Sequence, residues 1–367
     1  TGQWHWRLGE AANLYGPIAP EVPVYPDLLE DAGYFVGYTR KGWGPGNLGG
    51  RPRNPAGDKF KNFAEFLEKR PKDKPFCFWF GSNDPHRGYV KDSGVESGMN
   101  LDKIEVPACF PDSPEVRGDV SDYFFEVQRF DRETGEHIEQ IQALGELENT
   151  IVVMTGDHGM PFPRCKSNIY DDGARVPLAI HWPGHFEGGH RVTDFVSTTD
   201  FAPTFLEAAG VDVPEVMTGR SLVPILTAGM SGRVDPKRDH VLFGKERHVP
   251  SQEAPDSGGY PCRAIRTEAF LLIRNYETER WPAGTPDWEK AHINGAWYAD
   301  CDNGPTKTYM LENKDKDEHH RRLFDLSFAK RPEFELFDMR KDPNQQENVA
   351  DDPEYAVAFE QLAKQLD

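Results

Sequence analysis

Three short apolar runs, each ending abruptly in ionisable residues, constrain this chain more than any other feature of its sequence. "YFVGY" (34–38) leads into Arg40, Lys41 and a glycine-rich turn, "FCFWF" (76–80) into Asp84-Pro85-His86-Arg87, and "IVVM" (151–154) into Asp157-His158-Gly159. Such β-prone runs read as strands, the second and third as strands buried on both faces. Between these two, Val120, Tyr123, Phe124, Val127, Phe130, Ile138, Ile141 and Leu144 recur at helical spacing, which predicts a crossover helix. Strand, helix and strand in that order imply a parallel sheet, and such sheets bind ligands outside the carboxyl ends of their strands. The three polar clusters are therefore expected at one edge.

"VPLAIHWPG" (176–184) reads as a further strand, and "TTDFAPTFLEAAG" (198–210) as a helix with Asp200 as N-cap and Gly210 as its stop. After about residue 225 the elements shorten, and two to four antiparallel strands with a closing helix near "PEYAVAFEQLAKQL" account for the pattern. A length of 367 residues suits one large α/β domain with a smaller companion. The expected organisation is an α/β domain over 1–235, with a mostly parallel central sheet flanked by helices, and a C-terminal α+β subdomain over 236–367. Gly, Pro and charge-rich stretches at 228–238 and 281–318 read as a linker and a long surface insertion.

Composition narrows the function. A net charge of −19, from 42 basic and 61 acidic residues, argues against a nucleic-acid surface, where a basic stripe is expected. No apolar run approaches the length of a membrane span. Cys77, Cys109, Cys165, Cys262 and Cys301 form no C-x-x-C pair and no zinc signature. Cys165 lies between Arg164 and Lys166, a setting that lowers a thiol pKa, yet a single Cys is more often a packing residue and it is assigned no role.

Taken singly, Asp157-His158 is an ordinary turn, His86 a turn residue, and Lys41 and Lys166 are solvated lysines. Their expected convergence changes the reading. A carboxylate and an imidazole at a strand end bind a divalent ion when further ligands arrive from elsewhere. A metal, two ammonium groups and an imidazole suit a tetrahedral oxyanion, a sulfuryl or phosphoryl ester, with His86 as the candidate acid. No nucleophile is visible.

"TGDHGMPFPRCKSNIYDDGARVPLAIHWPG", "YTRKGWGPG", "DPHR" and "ELFDMRKDPNQQENVA" resemble, in order, segments of the type I sulfatases of the alkaline-phosphatase-like superfamily. The resemblance implies that fold, with Asp157 and His158 as ligands of one calcium ion, Lys41 and Lys166 as sulfate contacts, and His86 as a sulfate-binding residue that protonates the leaving group. "DPHR", "ESGM" and "FPDSPEVRGD" resemble the heparan N-sulfatase branch, which makes Arg87 and Glu96 candidates for sugar recognition. The implied partner is a sulfated carbohydrate, and the implied setting is extracytoplasmic.

Two departures stand out. Where the family has Lys-x-His, this chain has Lys41-Gly42-Trp43, with His5 a candidate substitute. The formylglycine segment C-x-P-S-R, or S-x-P-S-R, is closely followed in the family by Thr-Gly, and this chain opens at Thr1-Gly2. The nucleophile and the remaining metal ligands are accordingly expected upstream of Thr1. The rival readings are a phosphodiesterase or phosphonate hydrolase on the same fold and a non-catalytic glycan-binding relative.

Overall fold

The computed structural model describes residues 1–293 and 296–366. Its contacts fall into two compact units, one of residues 1–83, 132–154 and 179–241, the other of 84–131, 155–178 and 242–367.

In the first unit, β1 (Phe35–Arg40) is the middle strand of a three-stranded parallel sheet, between β2 (Asp58–Lys59) and β3 (Phe76–Gly81). The helix Phe63–Lys69 starts where the Asn62 side chain accepts the Glu65 backbone N–H, and it turns Phe63 and Phe66 inward. These rings meet Phe35, Phe60, Phe76 and Phe78 in an aromatic core, each buried ring contributing about 2–3 kcal/mol. The parallel register sets Arg40 opposite Gly81, and the Lys41 N–H donates to the Gly81 carbonyl at 3.1 Å. The ends of the first two predicted strands thus meet.

The third run behaves differently from expectation. β4 (Val152–Thr155) pairs with β5 (Leu178–His181) in a separate two-stranded sheet, so the described ladder joins only two of the three strand ends. Nor is β3 buried on both faces. Among the described residues it is an outer strand of its sheet, and its Trp79 is 47% exposed. An apolar run alone does not distinguish an outer strand from a central one.

Gly210, at φ +69°, follows the helix Phe201–Ala208, as expected. Asp200 does not cap that helix with its side chain. Its carboxylate accepts from the backbone N–H of Ser197 and Arg220 and from the Arg238 guanidinium at 2.7 Å. Arg238 is deeply buried, so the stretch read as a linker is packed at its end.

In the second unit, β6 (His240–Lys245), β7 (Cys262–Thr267), β8 (Phe270–Asn275) and β9 (Phe334–Asp338) form a sheet in chain order, with β7/β8 and β8/β9 antiparallel. Alternation along β8 sends Leu272 to one face, against Ile265, Leu336 and the closing helix Ala356–Leu366, and Leu271 and Ile273 to the other, against Ile169 and Tyr170. The helix Pro114–Ala143 places Val116 and Val120 in this unit's largest core, with Phe110, Phe162, Phe324 and Phe328. The stretch 281–318 is not a surface insertion. Thr285, Asp300, Thr306 and Lys307 within it are nearly inaccessible, and polar composition misled because each of these groups has an internal partner.

Candidate active site

The second unit holds His86, Arg87, Glu96, Asp157, His158 and Lys166, while Lys41 lies in the first, exposed just beyond β1. Trp43, at the position of the family histidine, is fixed by Asn54, which accepts the Trp43 N–H and donates to its carbonyl, both at 3.0 Å. His5 lies in a short 3-10 turn, edge-on to Trp6.

Asp157 and His158 open a tight loop. Gly159 is required there, since a Cβ would sit 1.8 Å from the Asp172 carbonyl oxygen while its N–H bonds the Gly173 carbonyl. The chain then folds back, so that the Lys166 N–H donates to the Met160 carbonyl at 2.9 Å. Arg164 and Ser167, which flank the Cys165-Lys166 pair, adopt φ of +62° and +64°, a left-handed conformation that costs such residues of order 1–3 kcal/mol each. Packing holds it, with Arg164 stacked on Tyr170 and hydrogen-bonded to the Leu326 carbonyl.

The donors at the loop's start fit a divalent cation. His158 Nδ1 lies 2.7 Å from the Gly159 carbonyl and therefore carries the proton, which leaves the Nε2 lone pair 3.6 Å from Asp157 Oδ1. That orienting bond is the usual support of a ligating imidazole. The Asp157 carboxylate is 90% exposed and engages no described group other than His158, so both atoms are available to one ion. They supply two ligands. A different trio, Cys109, Cys165 and Asp172, brings three donor atoms within 4.8 Å of one another. Cys165, assigned no role from the sequence, is a buried core residue. Its hydrogen bond with Cys109, together with burial, pushes the thiol well above its ordinary range.

Lys166 is not a solvated lysine either. Its residue is 6% exposed, and its ammonium donates to Asp302 Oδ2 at 2.9 Å. Burial opposes ionisation of Asp302, but the Lys166 ammonium, with the charges of His86 and His248, holds the carboxyl below its usual range. His86 is exposed. Its Nδ1 sits 2.7 Å from the Arg87 carbonyl, so Nδ1 donates and Nε2 keeps its lone pair.

Arg87 is committed inward. Its guanidinium makes a two-pronged pair with Asp119 at 2.7 and 2.8 Å, donates from Nε to the Pro161 carbonyl, and packs over Phe162. Asp119 also accepts the Thr306 N–H and hydroxyl. This geometry anchors the His86 loop through Arg87. Glu96 ends a four-residue helix, and its carboxylate is exposed with no partner among the described residues.

Beside His86, the buried Glu126 hydrogen-bonds Asp84, and Arg129 bridges the two. Burial, then the shared bond with Asp84, raises the Glu126 carboxyl to about 7. The folded state thus holds a proton that the unfolded chain releases near its ordinary value. This contribution to stability is complete below that value and is lost as pH rises through about 7. Thermal melts of wild type and Glu126→Gln should therefore diverge from about pH 5 to about pH 8, the variant losing less. Parallel curves would show that no proton is shared.

Asp119 closes the quoted "FPDSPEVRGD" stretch, whereas Asp302 and Lys307 had no sequence signature. "DCDNGPTK" reads as turn chemistry, and nothing local marks it as a partner of Lys166.

The fold is that of alkaline-phosphatase-like proteins. Residues 56–211 match the sulfatase family model and residues 156–283 the C-terminal model of N-sulphoglucosamine sulphohydrolase, so these stretches are similar to sulfatases. Human N-sulphoglucosamine sulphohydrolase is 28% identical over 308 residues, 81% of this chain and 56% of that protein. A structure solved in complex with its substrate D-glucosamine-2-N,6-O-disulfate superposes with a TM-score of 0.62 at 20% identity, covering 100% of this chain and 85% of that one. The phosphonate monoester hydrolase of Silicibacter pomeroyi gives 0.66 at 16% identity, over 100% and 83%. The chain spans about half the length of the curated relatives it matches.

Proposed function

We propose that this chain serves hydrolysis of a sulfate ester or sulfamate on a sugar or glycan. The observation that carries the reading is Lys166, nearly buried and folded back onto the loop that begins with Asp157 and His158, within a domain matched by the sulfatase family model. In this reading Lys166 binds a sulfuryl oxygen, and Nε2 of His86 delivers a proton to the leaving oxygen or nitrogen. Asp157 and His158 hold one divalent ion. Calcium is the ion implied by family likeness, although an imidazole ligand suits manganese or zinc as well. When bound, the ion withdraws charge from the sulfuryl oxygens. The nucleophile, formylglycine by the same likeness, is assigned to no residue of this chain. Sulfated glucosamine is the favoured substrate class, because the human relative and the substrate complex both concern it.

The test is release of inorganic sulfate from N-sulfoglucosamine and glucosamine 6-sulfate by the full-length protein, before and after chelation. Asp157→Ala should lower kcat on the order of 100-fold and reduce bound metal. Faster turnover of phosphate diesters, or undiminished activity in metal-free Asp157→Ala, would overturn the reading. Sugar binding without turnover would favour a non-catalytic glycan-binding role.

A further inference from the structure

Asp302 is held by an unusually well-anchored loop. The Lys307 ammonium, deeply buried, donates to the carbonyls of Trp297, Tyr298 and Cys301 and to Asn303 Oδ1, at 2.8 to 3.0 Å. Asp300 is tied to Lys245 at 3.0 Å and to His248 at 3.2 Å. Gly304 lies against the Arg87 guanidinium, where a Cβ would come within 2.4 Å of Cζ, and Thr306 bonds the Asp119 carboxylate that Arg87 also grips. One network therefore fixes both the His86 loop and the Asp302 loop.

A carboxylate at this place is a poor neighbour for a bare oxyanion. It accepts hydrogen bonds and donates none, so beside Lys166 it repels free sulfate and takes part of the ammonium's charge. The arrangement makes sense when the arriving molecule brings donors as well as an anion. A sugar does, through its hydroxyl or amino groups, and inorganic sulfate does not.

We infer that Asp302 is a recognition residue for the sugar that carries the sulfate: its Oδ1, engaged by no described side chain, accepts a hydrogen bond from a hydroxyl or ammonium of that sugar while Oδ2 holds Lys166. The assignment rests on the sulfatase reading, and it adds a consequence. The same carboxylate that retains the sulfated sugar disfavours retention of sulfate once the sugar has left.

The test compares kcat/KM for glucosamine 6-sulfate with that for 4-nitrophenyl sulfate, using full-length wild type, Asp302→Asn and Asp302→Glu. The ratio of sugar to aryl substrate should fall about 10- to 100-fold in Asp302→Asn, the range for a hydrogen bond to a charged group. Asp302→Glu keeps a carboxylate for Lys166 but displaces the sugar-facing oxygen, so its ratio should fall too. A parallel loss on both substrates, or rescue by Asp302→Glu, would reduce Asp302 to a support for Lys166 and overturn the inference. If wild type hydrolyses neither compound, the sulfatase reading has failed. Calorimetric binding of glucosamine 6-sulfate against inorganic sulfate then decides: lost preference for the sugar in Asp302→Asn supports the inference, and retained preference overturns it.

Discussion

Asp119→Ala is expected to lower the stability of the full-length protein by about 3–5 kcal/mol, the loss that follows when one partner of a buried ion pair is removed. The reason lies in how much the carboxylate serves. Two oxygens satisfy two guanidinium nitrogens of Arg87 and the N–H and hydroxyl of Thr306, and the side chains of Arg87 and Asp119 are 9% and 1% exposed. Alanine strands a guanidinium in a low-dielectric pocket. An Arg87→Met/Asp119→Leu double variant, which removes both charges, should recover much of the loss. Denaturant midpoints measure both, and a shift worth less than about 1 kcal/mol in Asp119→Ala would refute the network.

His86→Ala is expected to lower kcat on sugar sulfates by about 100- to 10,000-fold, the usual reach of general acid catalysis. The effect should depend on the leaving group. An alkoxide or amine leaving a sugar needs the proton, whereas 4-nitrophenolate departs without help, so the variant should retain most activity on 4-nitrophenyl sulfate. The geometry suits this role, with Nδ1 anchored on the Arg87 carbonyl and the residue exposed. Equal losses on both substrates would assign His86 to sulfate binding alone.

Much of this was legible in the chain order of residues, for physical reasons that differ from place to place. Apolar runs before Lys41, His86 and Asp157 announced strands because burial selects such runs, and β1, β3 and β4 lie where they end. The return of Lys166 followed from a short proline-rich loop. Pairing was less legible, because β3 carries an interior composition on an outer strand. Asp302 was invisible for another reason. It lies 136 residues from Lys166, and Thr306 lies 187 from Asp119; no periodicity connects such partners. In a window rich in Gly, Pro and charge, a buried polar network has the same composition as a solvated loop.

The Lys307 ammonium is, in effect, an ion that cannot dissociate. Four oxygens surround it much as they would surround a coordinated alkali cation, yet it is covalently part of the chain it organises. A chelator able to remove an ion from the proposed Asp157-His158 site has nothing to extract here. On the proposed sulfatase reading, removal of the ion should therefore leave sugar binding in place while abolishing cleavage, which would leave a reversible affinity reagent for sulfated sugars.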